Sequence, residues 1–252
     1  MLKYVNNYFC NENNKKSTIM KTKTINRFLL ATISIIVAGL VIISCEKDDD
    51  IAADISKNQL KGYTSGTNNG YFYSLYWEGG SASISFPNAN QYPGNFQINY
   101  SNVNDVVGGK GWNPGGTWTV GYNVGYLSGS YNFVGVYGWT TNPLIEFYVV
   151  EKGSVTGSTR IGTLSSDGHT YTVYKNQRVN APSIIGTATF WQYISNWGGA
   201  PTGQNGKVTM SNHVNYWKTY GGQGFGTFNY MIFGLEAWGG KSGVINATVW
   251  RQ

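Results

Sequence analysis

From Gly62 to Trp250 the chain is built from short runs in which apolar or aromatic residues alternate with polar ones, separated by Gly, Asn, Pro and Ser. Ser83-Ile84-Ser85-Phe86, Asn95-Phe96-Gln97-Ile98-Asn99-Tyr100 and Thr170-Tyr171-Thr172-Val173-Tyr174 are examples. A side-chain period of two belongs to strands with one face buried. Turn residues recurring every roughly 8–12 positions predict an antiparallel sandwich or barrel. One segment breaks the pattern. In Ser211-Asn212-His213-Val214-Asn215-Tyr216-Trp217-Lys218-Thr219-Tyr220, Val214 and Trp217 share a helical face, Ser211 can cap the start, and Gly221-Gly222 follow the end. The expectation is one all-β domain over 62–252 with a single short helix, no internal repeat and no second domain.

Charged residues make up 12% and aromatic residues 15%, the opposite of the bias that keeps chains disordered. Nineteen Tyr and nine Trp suit a surface that meets sugars, whose rings present apolar C–H faces to aromatic rings. The formal charge of +6 misleads. Lys3, Lys15, Lys16, Lys21, Lys23 and Arg27 precede Cys45, opposed only by Glu12; from Cys45 onward 12 basic residues face 11 acidic ones. No basic stripe remains in the body, which argues against a nucleic-acid partner.

The basic excess belongs to a leader over 1–44. Lys21, Lys23 and Arg27 precede the 17-residue apolar run Phe28–Ser44, which is short for a membrane span and fits a signal-peptide core. An uncleaved anchor helix is the competing reading, and Met20 is a plausible alternative start. The run ends in Ile42-Ile43-Ser44-Cys45, which resembles a bacterial lipobox with Cys45 as the lipidated residue. Several acyl chains hold a protein on a membrane where one binds only marginally. Glu46-Lys47-Asp48-Asp49-Asp50 resembles a tag for the outer cell surface, and 45–61 reads as a polar tether. The expected location is the outer membrane, by lipid anchor only. Cys10 and Cys45 are the two cysteines, so no disulfide is available to the body. About 190 residues bury enough surface to be stable without one, roughly 70% of what the unfolded chain exposes.

Two carboxylates stand out. Glu146 interrupts Pro143-Leu144-Ile145-Glu146-Phe147-Tyr148-Val149-Val150-Glu151, and Glu236 interrupts Tyr230-Met231-Ile232-Phe233-Gly234-Leu235-Glu236-Ala237-Trp238. On a strand Glu146 and Tyr148 point together while Glu151 points the other way. Tyr230, Gly234, Glu236 and Trp238 likewise share a face. A carboxylate inside an apolar strand is costly unless it is paired or faces a cleft. Two of them beside same-face aromatics suggest a sugar cleft with the carboxylate pair that glycoside hydrolysis uses. Spacing leaves open the alternative of two solvent-facing Glu on an outer sheet face.

At these residues the chain resembles glycoside hydrolase family 11, the β-jelly-roll endo-1,4-β-xylanases. The resemblance runs from about Tyr71 to Trp250. Its ordered blocks are Gly109-Lys110-Gly111-Trp112, Val136-Tyr137-Gly138-Trp139-Thr140, Pro143 through Glu151, Asn180-Ala181-Pro182-Ser183-Ile184, Gly186-Thr187-Ala188-Thr189-Phe190-Trp191-Gln192-Tyr193, Asn212-His213-Val214-Asn215 and the Glu236 strand. The resemblance implies a jelly roll of two packed, strongly curved antiparallel sheets forming a cleft. It implies Glu146 as nucleophile and Glu236 as acid/base of a retaining mechanism, with Glu146 ionised and Glu236 protonated. Tyr137 and Tyr148 are implied as partners around the sugar and nucleophile, and Arg178, Gln192 and Tyr230 as further cleft contacts. The segment around Pro182 is implied as a thumb closing over the xylan chain. No cofactor or metal is implied, and a monomer is expected.

The chain also departs from the family pattern. Tyr76 stands where the family often has Trp, so it can still stack on xylose; Ile194 replaces a usual aromatic. Asp105, four residues before Gly109, resembles the Asp of acid-active members, which implies a coupled pair with Glu236 and an acidic optimum. His169 reads as a surface loop residue, His213 as packing or capping the helix, and 221–226 as a turn. Two rival readings are a jelly-roll β-1,4-glucanase and a non-catalytic glycan-binding lipoprotein.

Overall fold

The computed structural model describes residues 61–252. The leader, Cys45 and the tether up to residue 60 lie outside the described residues. The elements are β1 (Lys61–Asn68), β2 (Tyr71–Glu78), β3 (Ser81–Ser85), β4 (Asn95–Trp112), β5 (Thr119–Gly129), β6 (Phe133–Thr141) and β7 (Ile145–Gly153). They continue with β8 (Thr159–Ser166), β9 (His169–Ser183), β10 (Gly186–Asn196), β11 (Asn205–Thr209), α1 (Met210–Tyr220) and β12 (Thr227–Arg251).

Two of these strands are far longer than the turn spacing predicts: β4 has 18 residues and β12 has 25. Both pass from one layer of the jelly roll to the other. The first half of β12 pairs with β6 and with Asp105–Trp112 of β4, whereas Gly243–Arg251 pairs with β5 and with the start of β4. Gly239 and Gly240, at φ 85° and 76°, supply the left-handed backbone where β12 changes layer. One layer therefore runs β1-β2-β4-β12-β6-β7-β10-β9-β8, and the other joins β3, the remaining halves of β4 and β12, β5 and β11. The antiparallel expectation fails at one place, since β10 pairs with β7 in parallel. The β8–β9 hairpin lies between them in sequence and brings β10 back in the direction of β7. That hairpin turns at Asp167-Gly168, both with positive φ, the geometry that matches strand twist.

Alternation sorts the side chains between two environments. Leu75, Val106, Phe147, Phe233 and Leu235 point between the layers into the main core, with Phe96, Ile98 and Trp217. Tyr137, Trp139, Tyr148, Phe190, Ile194, Tyr230 and Ile232 form a second cluster on the outer, concave face of the longer layer. The described residues contain no cysteine, so this burial carries the fold, each fully buried large side chain contributing about 1.5–3 kcal/mol.

The helix begins at Met210, with Thr209 at its N-cap two residues ahead of the expected cap Ser211, and Ser211 does not cap it. The first amides are satisfied by backbone instead: Met210 N donates to Trp118 O (3.3 Å) and Ser211 N to Thr117 O (3.1 Å). Gly221 N closes the last turn on Trp217 O (2.8 Å). His213 is fully buried and packs edge-on against Tyr171, and burial holds it neutral with a pKa lowered to about 3. His169 is not a free loop residue: it opens β9 and stacks on Trp197 at 3.6 Å. No helix among the described residues is long and apolar enough to cross a membrane.

Candidate active site

The register places the concave face in rows that cross the strands. Tyr76, Val107, Glu236 and Phe133 form one row over β2, β4, β12 and β6. The next row holds Glu78, Asp105 and Trp238. In the other direction, Phe72, Gly111, Ile232, Tyr137, Tyr148 and Ile194 line up, followed by Trp139, Glu146, Gln192 and Asn176. Arg178 on β9 stands opposite Phe190 of β10. Glu146, Glu236, Asp105, Tyr76, Tyr137, Tyr148, Gln192, Arg178 and Tyr230, distant in sequence, thus share one face.

Glu146 is 7% exposed and held from two sides. Tyr137 Oη donates to Oε1 (2.6 Å) and Gln192 Nε2 to Oε2 (2.6 Å). Trp139 Nε1 donates to Tyr137 Oη (2.8 Å), and Asn176 Nδ2 to Gln192 Oε1 (2.8 Å), so each partner is itself oriented. Burial raises the Glu146 pKa, opposed by Tyr137, Gln192, Tyr148 and the Arg178 charge.

Glu236 stands differently. Its Oε2 has no hydrogen-bond partner, and neither has Oδ1 of Asp105. Burial first, then the charges of Asp105 and Glu146, raise its pKa well above the usual carboxylate range; Arg178 and Tyr148 oppose the rise. Asp105 is pushed up to about 7, by burial and then by Glu78 and Glu146. Asp105 and Glu236 are thus both shifted toward the protonated form, while Glu146 is engaged by neutral donors. The two glutamates sit in different environments, Glu146 accepting from two neutral donors and Glu236 facing other acidic groups.

The remaining residues flank this centre. The ring of Tyr230 lies 5.5 Å from that of Phe72 and 6.2 Å from that of Tyr137. Pro182 is exposed near the tip of the β9–β10 hairpin, opposite Thr187. That hairpin is closed by Ser183 Oγ, which donates to Gly186 O (2.5 Å). Ile194, in the position of the missing aromatic, is 1% exposed and belongs to the floor under Tyr148 rather than to an open stacking surface. Sequence reasoning missed Trp139 and Asn176 as orienting groups, and Glu78 and Trp238 beside Asp105. Alternation within Val136–Thr140 signals Trp139, which shares a face with Tyr137; the other three need the strand register.

A concave jelly-roll face with a hydrogen-bonded carboxylate, two further carboxyl groups raised by burial and aromatic flanks defines a glycoside hydrolase. The glycosyl hydrolases family 11 profile matches residues 68–248, and the chain belongs to that family. It is 46% identical over 179 residues to "Ethylene-inducing xylanase 1" of Botryotinia fuckeliana, covering 69% of this chain and 62% of that one, so it spans under two thirds of that relative's length. It is 43% identical over 189 residues to a probable endo-1,4-β-xylanase B of Aspergillus clavatus, covering 73% of this chain and 83% of that one. A solved structure described as a comparison of two major endo-1,4-β-xylanases from Trichodrema reesei matches with TM-score 0.58 and 36% identity, over 76% of this chain and 97% of that one.

Proposed function

We propose that this chain is an endo-1,4-β-xylanase that cleaves internal xylosidic bonds with retention of configuration. The observation that carries the reading is the unequal treatment of two glutamates on one face: Glu146 accepts from Tyr137 and Gln192, whereas Glu236 lacks a partner at Oε2 and stands beside Asp105. Glu146 attacks the anomeric carbon while Glu236 gives its proton to the departing glycosidic oxygen. The bond from sugar to leaving chain breaks as the bond to Glu146 forms, leaving a covalent glycosyl-enzyme. Glu236, now ionised, takes a proton from water. The resulting attack releases the sugar and returns both carboxyls to their starting states. Tyr76 stacks on a xylose ring, Tyr230 and Gln192 contact the chain in the cleft, Arg178 and Tyr148 temper the charge of the acids, and the Pro182 hairpin closes over the chain. Asp105 shares the Glu236 proton and sets an acid-side optimum.

Xylan is the expected partner, and the described domain acts as a monomer. Ser44-Cys45 after the apolar run supports export with a lipid on Cys45 and a place on the outer membrane. Mass spectrometry of the mature N-terminus checks this: an acylated Cys45 is expected, and an uncleaved Met1 or Met20 terminus removes the proposal.

The test of activity is release of reducing ends from xylan by the purified protein, with Glu146→Gln alongside and cellulose as the glucan control. Wild-type release from xylan that vanishes in the variant is expected, with first products in the β-anomeric form by proton NMR. Equal cleavage of cellulose points to a glucanase. A folded protein that binds xylan without cutting it overturns the enzymatic reading.

A further inference from the structure

Glu78 ends β2 directly opposite Asp105, and Asp105 stands directly opposite Trp238, two residues beyond Glu236 on β12. We propose that Glu78 is a positioning residue of the reaction: acting through Asp105, its charge sets the pH at which the acid site at Glu236 gives up its proton, and Lys61 sets how much of that charge is felt. The inference rests on the xylanase reading for its consequence in catalysis, but not for its electrostatics.

Directly opposed residues of antiparallel strands have β-carbons only about 4.5–5.5 Å apart, where like charges repel. Glu78 is fixed in that place from two sides. Tyr76 Oη donates to its Oε1, and Lys61 Nζ on β1 lies 2.8 Å from the same oxygen. Burial pushes the Glu78 pKa up, but the Lys61 and Tyr76 bonds outweigh it and hold the carboxyl below its ordinary range. Glu78 is therefore charged throughout the range in which Asp105 titrates.

After burial, Glu78 is the largest influence raising Asp105, ahead of Glu146. The other groups facing Asp105 are accounted for. Glu236 on β12 is in turn raised by the Asp105 charge. Tyr76 on β2 and Tyr137 and Tyr148 on β6 and β7 stay neutral, their pKa values raised by burial. Arg178 on β9 and the Val106 amide lower it. Lys241 lies over the Trp238 ring at 5.8 Å and is engaged by Asn132 Oδ1 at 2.7 Å. The Lys61 side chain is 59% exposed, and such exposed ion pairs add little stability. The Glu78–Lys61 pair thus has more leverage on Asp105 than on the fold.

The experiment is a carbon-13 NMR titration of the side-chain carboxyls in the wild type, Glu78→Gln and Lys61→Met, paired with pH profiles of kcat/KM on xylan. Gln at position 78 keeps an acceptor for Tyr76, so the ring stays in place. Glu78→Gln is expected to lower the Asp105 midpoint, and the basic limb of the profile with it, by about half a pH unit. Lys61→Met unmasks the Glu78 charge and is expected to move both the other way by a smaller step. Midpoints that stay put in both variants, or move in the same direction, overturn the proposal. Because the titration is read without substrate, absent xylan cleavage counts against the proposed function while opposite NMR shifts still uphold the electrostatic coupling. Shifted midpoints with an unmoved limb in an active enzyme sink the catalytic part alone.

Discussion

Two glutamates on β7 can be compared almost side by side. Glu146 and Glu151 are both buried, at 7% and 1% exposure, and each accepts two bonds from neutral donors. Glu146 has Tyr137 and Gln192; Glu151 has Tyr122 at 2.5 Å and Tyr171 at 2.7 Å. Five positions along a strand reverse the face. Glu146 therefore opens on the concave face with Glu236, Asp105 and Arg178, whereas Glu151 is sealed between the layers. Burial and good hydrogen bonding do not by themselves make a carboxylate catalytic. What separates the two is access to a ligand and a second acid across an open face.

The largest effect tests that distinction directly. Glu146→Gln is expected to lower xylan hydrolysis by roughly 10⁴-fold or more, because a carboxamide neither attacks nor carries the sugar. Glu151→Gln is expected to keep the activity within a few-fold. Assays of both variants at one pH check this, and a large loss in the Glu151 variant from a folded protein would break the comparison. Glu236→Gln falls between them, at about 10²–10⁴-fold, the usual contribution of acid–base assistance.

The second effect belongs to Glu151 and is one of stability. Burial first, and then the Asp167 charge, push its pKa up to about 7 against the help of the two phenols. An unfolded Glu titrates near about 4.3. Between those values the folded protein holds a proton that the unfolded chain has lost, so stability falls as pH rises through this window and is flat on either side. The loss attached to one such group is about 4 kcal/mol at most. Glu151→Gln keeps the shape without the charge, and its unfolding free energy by urea titration at pH 4.5 and 7.5 is expected to differ by correspondingly less than the wild type's. The same slope in both proteins would show that Glu151 is not the group responsible.

How much of this was legible in the sequence follows from the range of each signal. Alternation alone put Glu146 with Tyr148 and turned Glu151 away, because a two-residue period is local. The helix around Val214 and Trp217 was legible for the same reason, but not its capping, which comes from Thr117 and Trp118 carbonyls nearly a hundred residues earlier. The passage of β4 and β12 between layers was hidden, since each half reads as an ordinary strand. The parallel β7–β10 pair was hidden too, because direction depends on the β8–β9 excursion. The site was legible at Glu146 and Glu236 as costly charges in apolar runs. Gln192 and Arg178 carried no such cost and emerged only through resemblance to a family. Glu78 and Trp238 became visible once the register set them on either side of Asp105.

The smallest effect probes what the Glu146 face has and the Glu151 site lacks, a partner acid that shares a proton. In the proposed mechanism Glu146 acts ionised and the Asp105–Glu236 pair protonated, so the lower step of the pair, near 7 at Asp105, is expected to limit the basic side. Above that step the Asp105 carboxylate draws the Glu236 proton into a shared bond and withholds it from the glycosidic oxygen. Asp105→Asn removes the step and leaves only the later ionisation of Glu236, so the basic limb of kcat/KM is expected to move to higher pH by about one unit. The acid limb, set by Glu146, moves less because Asp105 is neutral there. A basic limb that stayed in place would mean that Glu236 titrates alone, and the contrast with Glu151 would then rest on access to substrate without any help from a shared proton.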